Sequence, residues 1–148
     1  MQINKLEVRK IVLIISIVAV TAYGVLAVLS TYVLPTQYSD CERDTKELNG
    51  GEKVFAGRKY RIVLCGDGGD ENFMQDKIRM QIFSENGNLL AQRQFHVDWP
   101  MTNVPKKLVY GDDHLIYFDP SRPKDYKRKV SMPPTWLDWI RARLPLVD

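Results

Sequence analysis

Two cysteines and two histidines are the side chains of this 148-residue sequence that are best suited to chemistry. Cys41 and Cys65 form an even pair, and in an oxidising compartment such a pair predicts a disulfide. The catalytic alternative is that Cys65 acts as a nucleophile beside His96 or His114. A zinc site is not predicted, because it needs three or four converging ligands, and the sequence contains neither an HExxH nor a GxSxG motif. We therefore expect a protein that is not an enzyme, with no metal, no other cofactor and no small-molecule substrate.

Two acidic segments are further candidates for function, because exposed carboxylates can enter the basic cleft of a protein partner. The candidate contact residues are Asp67, Asp70 and Glu71 in the segment that follows Cys65, and Asp112, Asp113 and His114 in a later turn. The first segment contains glycines but lacks the spacing of a P-loop, and its acids do not follow the calcium-loop pattern. The alternative for this first segment is a flexible turn whose charges are solvated.

An uncharged segment over residues 11–34 predicts a membrane anchor. Its length corresponds to a helix of about 36 Å, enough to cross a hydrocarbon core of about 30 Å. A cleavable signal peptide is the competing interpretation, but its apolar region is normally about 7–15 residues long. Lys5, Arg9 and Lys10 precede the segment, and excess Lys and Arg stays in the cytoplasm. Residues 1–10 are therefore predicted to be a cytoplasmic tail, and the remainder lies outside, in the periplasm if the source is Gram-negative.

The predicted outer part of the chain is nearly neutral. Of 21 Lys and Arg, three lie in residues 1–10, and of 18 Asp and Glu one lies there, which leaves 18 against 17 and a charge of +1. This balance lacks the basic footprint of a nucleic-acid-binding protein. Residues 35–52 are polar and charged and are predicted to be a linker, whereas residues 53–148 are predicted to form one β-rich domain.

Alternation of apolar and polar residues predicts a β-hairpin in the middle of this domain. Residues 77–83 and 89–99 alternate on either side of Asn86-Gly87, a dipeptide typical of tight hairpin turns. Arg93 interrupts the apolar face of the second strand. The other predicted β elements are a buried strand over residues 60–65, a second hairpin over 107–119, an exposed basic loop over 120–129 and a strand fragment over 130–132.

The C-terminal segment predicts an amphipathic helix. Thr135 and Asp138 have the spacing of a capping box, and Trp136 and Trp139 are expected to pack against the sheet. The alternative is that these tryptophans form an exposed patch that contacts a protein or the headgroup region of a membrane. The predicted fold is mostly β (α+β): an N-terminal transmembrane helix, an antiparallel sheet or small sandwich of hairpins, and a C-terminal amphipathic helix packed on it.

Three stretches of the outer domain resemble a family of small membrane-anchored proteins of enteric bacteria. They read YRIVLCGDGGDENF, DKIRMQIFSENGNLLAQRQFHVDW and SMPPTWLDWIRARLPL. The family is found in toxin–immunity pairs delivered by type VI secretion. The resemblance implies an immunity protein anchored in the inner membrane, which binds a periplasm-acting toxin, for example one that attacks peptidoglycan, and blocks it. It implies no roles for individual residues.

A bitopic accessory subunit of an envelope complex is the alternative function. In that case the apolar helix itself would pair with another membrane protein. Ala22, Gly24 and Ala27 are small residues that permit close packing of helices, although the sequence contains no GxxxG motif.

Overall fold

The computed structural model describes residues 5–33, 37–68, 75–99, 105–122 and 124–144. The chain divides into two compact units, residues 1–35 and residues 36–148.

The first unit contains one long helix, α1, which spans Lys5–Val33. Its Val8–Leu29 portion is long and apolar enough to cross a membrane, and its most apolar window has no residue buried within the protein. The hydroxyl of Ser16 donates to the carbonyl of Val12, and that of Thr21 donates to the carbonyls of Ile17 and Val18. The hydroxyls of Ser16 and Thr21 are therefore satisfied within the helix, as a hydrocarbon environment requires. The helix begins six residues before the predicted segment, and residue 34 lies outside the described residues.

The described residues of the second unit form two antiparallel sheets. The four-stranded sheet has the order β1-β2-β3-β4, with β1 at Gly51–Phe55, β2 at Arg58–Gly66, β3 at Gln75–Ser84 and β4 at Leu89–Asp98. The three-stranded sheet has the order β5-β6-β7, with β5 at Val109–Tyr110, β6 at His114–Phe118 and β7 at Lys127–Ser131. The predicted class, mostly β with an N-terminal apolar helix and a short C-terminal helix, is confirmed.

The hairpin predicted around Asn86-Gly87 is confirmed as β3 and β4. Ile78 pairs with Phe95 and Ile82 with Ala91, and all four side chains are buried. Gly87 has φ of 79°, a conformation that a residue without a Cβ adopts at little cost. The period-two alternation therefore places one face of this hairpin in the core.

A single hydrophobic core contains residues from both sheets. Phe95 of β4 contacts Tyr117 of β6, with ring centroids 4.9 Å apart. Ile62, Leu64 and Met80 of the four-stranded sheet are fully buried in the same cluster as Leu115 and Val130 of the other sheet. The two sheets therefore share one apolar interior.

A short helix, α2, spans Cys41–Glu47 within the predicted linker. Asp44 on this helix is fully buried, and Leu48 directly after it is only 1% exposed. The backbone N–H of Leu108 donates to the carbonyl of Leu48, and the hydroxyl of Tyr110 donates to that of Asn49. Residues 41–52 therefore belong to the folded domain and not to a linker, because α2 and the turn after it contact both sheets.

The C-terminal elements differ from the prediction in two ways. Strand β7 begins at Lys127, so the end of the predicted basic loop belongs to the sheet. Helix α3 spans Trp136–Arg141, and the predicted capping box of Thr135 with Asp138 is confirmed. The prediction that both tryptophans pack against the sheet is wrong, because Trp136 is 69% exposed and Trp139 is 47% exposed. The helix instead directs Asp138 inward.

Candidate functional site

The predicted disulfide is present between Cys41 of α2 and Cys65 of β2. Cys65 is 2% exposed, and the protein has no free cysteine. The hypothesis that Cys65 is a nucleophile is therefore corrected, because its sulfur is bonded and is not available as a thiolate.

Asp67 has a structural role at the end of β2. Its carboxylate accepts a hydrogen bond from the backbone N–H of Lys77 at 3.0 Å, and its own N–H donates to the carbonyl of Lys77. These bonds extend the pairing of β2 with β3 by one residue. Asp70 and Glu71 of the same acidic segment lie outside the described residues.

A second set of carboxylates surrounds the end of β2. Asp44 accepts a hydrogen bond of 2.6 Å from the N–H of Gly66. Burial raises the pKa of Asp76, and the nearby charges of Asp44 and Asp67 raise it further. Across the residues that the structure describes, no group of three or more His, Cys, Asp or Glu side chains is placed to hold a metal ion.

The turn between β5 and β6 brings Asp112, Asp113 and His114 together on the surface. The N–H of Gly111 donates to the carbonyl of His114 at 2.9 Å, which closes the turn. The imidazole of His114 lies over Gly111, where a Cβ would stand 2.4 Å from its Cε1 atom. Gly111 therefore allows this ring position, and Asp112 and Asp113 project into solvent.

The charge of this acidic turn is stabilised by its neighbours. Nδ1 of His114 lies 2.5 Å from Oδ1 of Asp113, and Nζ of Lys129 lies 4.0 Å from the same oxygen. The hydrogen bond with His114, followed by the charge of Lys129, lowers the pKa of Asp113. The side chain of Asp113 is 80% exposed, and both its exposure and its lowered pKa keep it ionised at neutral pH. The result is a negatively charged turn that is held in place by hydrogen bonds.

His96 lies next to a buried carboxylate but not in a catalytic arrangement. Oδ1 of Asp119 accepts hydrogen bonds from the hydroxyl of Ser121 at 2.6 Å and from the backbone N–H of His96 at 3.3 Å. In a hydrolytic triad the imidazole stands between the hydroxyl and the carboxylate, where it acts as the base. Here the carboxylate of Asp119 stands between the hydroxyl of Ser121 and the backbone N–H of His96. It therefore ties the loop after β6 to β4.

An exposed aromatic face on α3 is the surface that differs most from the sequence prediction. Trp136, Leu137 and Trp139 are 69%, 47% and 47% exposed. The guanidinium of Arg143 lies 3.9 Å from the ring centroid of Trp139 and donates to the carbonyls of Trp139 and Leu89. We call Trp136, Leu137 and Trp139 the α3 face.

A backbone hydrogen bond connects the acidic turn to the segment that precedes the α3 face. The backbone N–H of Met132 donates to the carbonyl of Asp113 at 2.7 Å, and Trp136 follows four residues later. An exposed apolar surface beside charged groups is typical of sites that contact a partner. The tryptophan pattern in the sequence signals such a surface, but the sequence does not reveal which side of α3 faces the sheet.

Comparisons with known proteins provide no further identification: no family model, no curated protein and no solved structure matches this chain.

Proposed function

We propose that this chain is a membrane-anchored immunity protein, which binds a secreted toxin outside the cytoplasm and thereby blocks it. The single observation that carries the binding role is the acidic turn at Asp112, Asp113 and His114, where two carboxylates project from a well-fixed β-turn. A fixed, exposed charge loses little conformational entropy when it meets an oppositely charged partner. The toxin class comes from the family resemblance of the sequence.

Two further observations support the location in this proposal. Helix α1 contains a stretch that is able to cross a membrane, and the Cys41–Cys65 disulfide fits an oxidising compartment. In the proposal the N-terminus is cytoplasmic, the anchor lies in the inner membrane and the β-rich domain lies in the periplasm. An anchor of this kind keeps the inhibitor in the compartment where the toxin arrives and raises its local concentration.

The proposed inhibition requires surface complementarity and no chemistry. An acidic turn of this kind fits a basic cleft, where charge complementarity speeds encounter and sets specificity. Candidate toxins are therefore proteins whose substrate cleft is basic, including enzymes that act on anionic cell-wall polymers.

Affinity capture with the full chain tests this proposal. The chain is solubilised from its own host in mild detergent with the disulfide intact, and bound proteins are identified by mass spectrometry. We expect one secreted toxin at a stoichiometric amount. The Asp112→Asn/Asp113→Asn double variant should weaken the complex by about tenfold or more, because it removes charges that pair across an interface.

A matched control carries the same change in net charge elsewhere. Glu42 on α2 and Glu85 in the β3–β4 turn are both exposed, so Glu42→Gln/Glu85→Gln should leave the complex nearly unchanged. Recovery of membrane-complex subunits in place of a toxin would contradict the proposal and support an accessory subunit. Replacing α1 with an unrelated transmembrane helix separates the two functions, since only the accessory subunit depends on the sequence of the helix.

A further inference from the structure

We propose that the α3 face inserts into the headgroup region of the membrane that α1 crosses. The chain would then contact the lipid at two places, through α1 and through the α3 face. This inference rests on the anchored topology of the proposed function but not on the identity of the toxin. It assigns a role to Trp136, Leu137 and Trp139, which are exposed although their side chains are strongly apolar.

The exposure of this face is fixed by the packing of α3. The buried carboxylate of Asp138 accepts hydrogen bonds from the N–H and hydroxyl of Thr135 at 2.8 and 2.6 Å, and it pairs with Arg93 of β4. Arg143 ties the other end of the helix to the carbonyl of Leu89. Since Asp138 must face the sheet, the side chains on the opposite side of the helix must face outward. The apolar face is therefore a property of the folded domain.

The size of the face argues against a second copy of this chain as its occupant. Aromatic side chains bury about 150–250 Å² each, so two half-exposed to two-thirds-exposed tryptophans and one leucine offer on the order of 300 Å² of surface. A stable protein interface needs roughly 800 Å² from each partner. A membrane surface has no such threshold, because each side chain that enters the interface contributes independently.

Chain length keeps the lipid within reach of the domain. Helix α1 ends at Val33, and Ser39 is already paired with Gly66 of β2. The intervening residues can extend over at most about 20 Å. When α1 spans a bilayer, the surface of that bilayer stays close to the tethered domain at a high effective concentration. A weak contact is then sufficient to be populated.

The residue types of α3 suit the interface between lipid and water. Tryptophan concentrates at this boundary, where its ring meets the acyl chains and its N–H meets the headgroups. Arg141 follows the apolar residues and is exposed, and a guanidinium group matches the geometry of lipid phosphates. Apolar residues with nearby arginines are the composition of helices that lie in the membrane surface.

Tryptophan fluorescence provides a direct test, because the three tryptophans of the sequence, Trp99, Trp136 and Trp139, all lie outside α1. The full chain is inserted into phosphatidylcholine nanodiscs that either contain or lack phosphatidylcholine brominated near the headgroup end of its acyl chains. Bromine quenches only those tryptophans that enter the lipid. In the Trp99→Phe variant the α3 face supplies the entire signal, and we expect bromolipid to reduce it at least twofold.

The Trp136→Phe/Trp139→Phe variant is the matched control. Its remaining fluorophore, Trp99, is half-buried beside Arg43, and we expect its emission to change by less than a tenth. If bromolipid leaves the Trp99→Phe variant unquenched while aqueous acrylamide quenches it as strongly as in detergent, the membrane contact is excluded. The α3 face would then be exposed to water in the membrane-inserted protein.

Capture of the toxin by the chain is measured separately from bromolipid quenching. A chain that inserts into nanodiscs and captures its toxin but shows no bromolipid quenching overturns the membrane contact alone. A chain that shows quenching but captures no toxin overturns the immunity function alone. Failure of the chain to insert into nanodiscs at all would overturn both, because both require α1 as an anchor.

Discussion

Arg93 of β4 and Asp138 of α3 form an ion pair in which the side chains are only 12% and 9% exposed. Arg93 occupies a position on the core face of β4, between Ala91 and Phe95, where the alternation calls for an apolar residue. Asp138 is the inward-facing residue of α3 and the third residue of its capping box. One pair therefore satisfies a charge on each element, attaches α3 to the sheet and determines which side of α3 is exposed.

Removal of Arg93 should strongly destabilise the domain. Arg93→Met leaves the carboxylate of Asp138 buried without its cation, and loss of one partner of a buried pair costs about 3–5 kcal/mol. The free energy of unfolding is measured by urea titration of the full chain in detergent, with tryptophan fluorescence as the signal. The control is Asp125→Ala, which breaks the exposed pair of Asp125 with Arg128 and should cost less than about 1 kcal/mol. Equal effects of the two variants would contradict a structural role for the Arg93 pair.

The same pair should make stability depend on acid pH. Burial opposes the ionisation of Asp138, but the hydrogen bonds from Thr135 and the charge of Arg93 outweigh it and lower the pKa of Asp138 below its ordinary value of 3.8. A carboxyl group whose folded pKa is lowered contributes stability above its unfolded pKa, and this contribution is lost as the pH falls through the folded pKa. Wild-type stability should therefore fall below about pH 4. Asp138→Asn should have a shallower decline between about pH 4 and pH 2, and an identical slope in the two proteins would rule out this linkage.

The hairpins were predictable from the sequence because their signals are local. Ile78, Met80 and Ile82 alternate along one strand, and Asn86-Gly87 specifies the turn by its own conformational preference. The capping box of α3 was likewise visible, because Thr135 and Asp138 are three residues apart.

The features that were not predictable depend on contacts between distant residues. Arg93 looked like an imperfection of its strand because its partner lies 45 residues further on. The tryptophans of α3 were expected in the core because apolar residues are usually buried, whereas the inward position belongs to Asp138. Helix α2 was missed because its sequence, CERDTKE, is entirely polar apart from a cysteine that forms a disulfide. Among the proposed contact residues, Asp67 could not be distinguished from a free carboxylate without the bond it makes to Lys77.

Loss of the disulfide should lower stability without preventing α2 from forming its other contacts. Cys41 and Cys65 are separated by 24 positions in the sequence, and a loop of this length is worth about 3 kcal/mol in the chain-entropy model. Cys41→Ser/Cys65→Ser should reduce the free energy of unfolding by this amount in the same urea titration. Reducing agent should lower the wild-type protein to the level of the variant and leave the variant itself unaffected. A variant as stable as the oxidised wild-type protein would show that the bond contributes nothing.

A methyl group at Gly111 should raise the pKa of Asp113 in the acidic turn. A Cβ at this position would stand 2.4 Å from the ring of His114, so Gly111→Ala must displace the imidazole that hydrogen-bonds to Asp113. Because that bond is the main cause of the lowered pKa of Asp113, the pKa should rise towards its ordinary value. The shift is measured by carbon-13 NMR titration of the carboxyl group. His114→Gln serves as an independent variant that should shift the pKa in the same direction, and an unchanged pKa in both would exclude the contact.

Truncation of Asp44 tests whether the segment before β1 is part of the folded domain. Asp44 is fully buried, accepts the N–H of Gly66 at 2.6 Å and pairs with Arg43 at 3.0 Å. Asp44→Ala leaves that N–H without a partner in the interior, and a buried unsatisfied group costs about 1–3 kcal/mol. Glu47→Ala on the exposed side of α2 is the control and should change stability by less than about 0.5 kcal/mol. In a linker neither substitution would affect unfolding, so a difference between them supports a docked α2. The disulfide to Cys65 and the pairing of Ser39 with Gly66 attach the same segment to the end of β2.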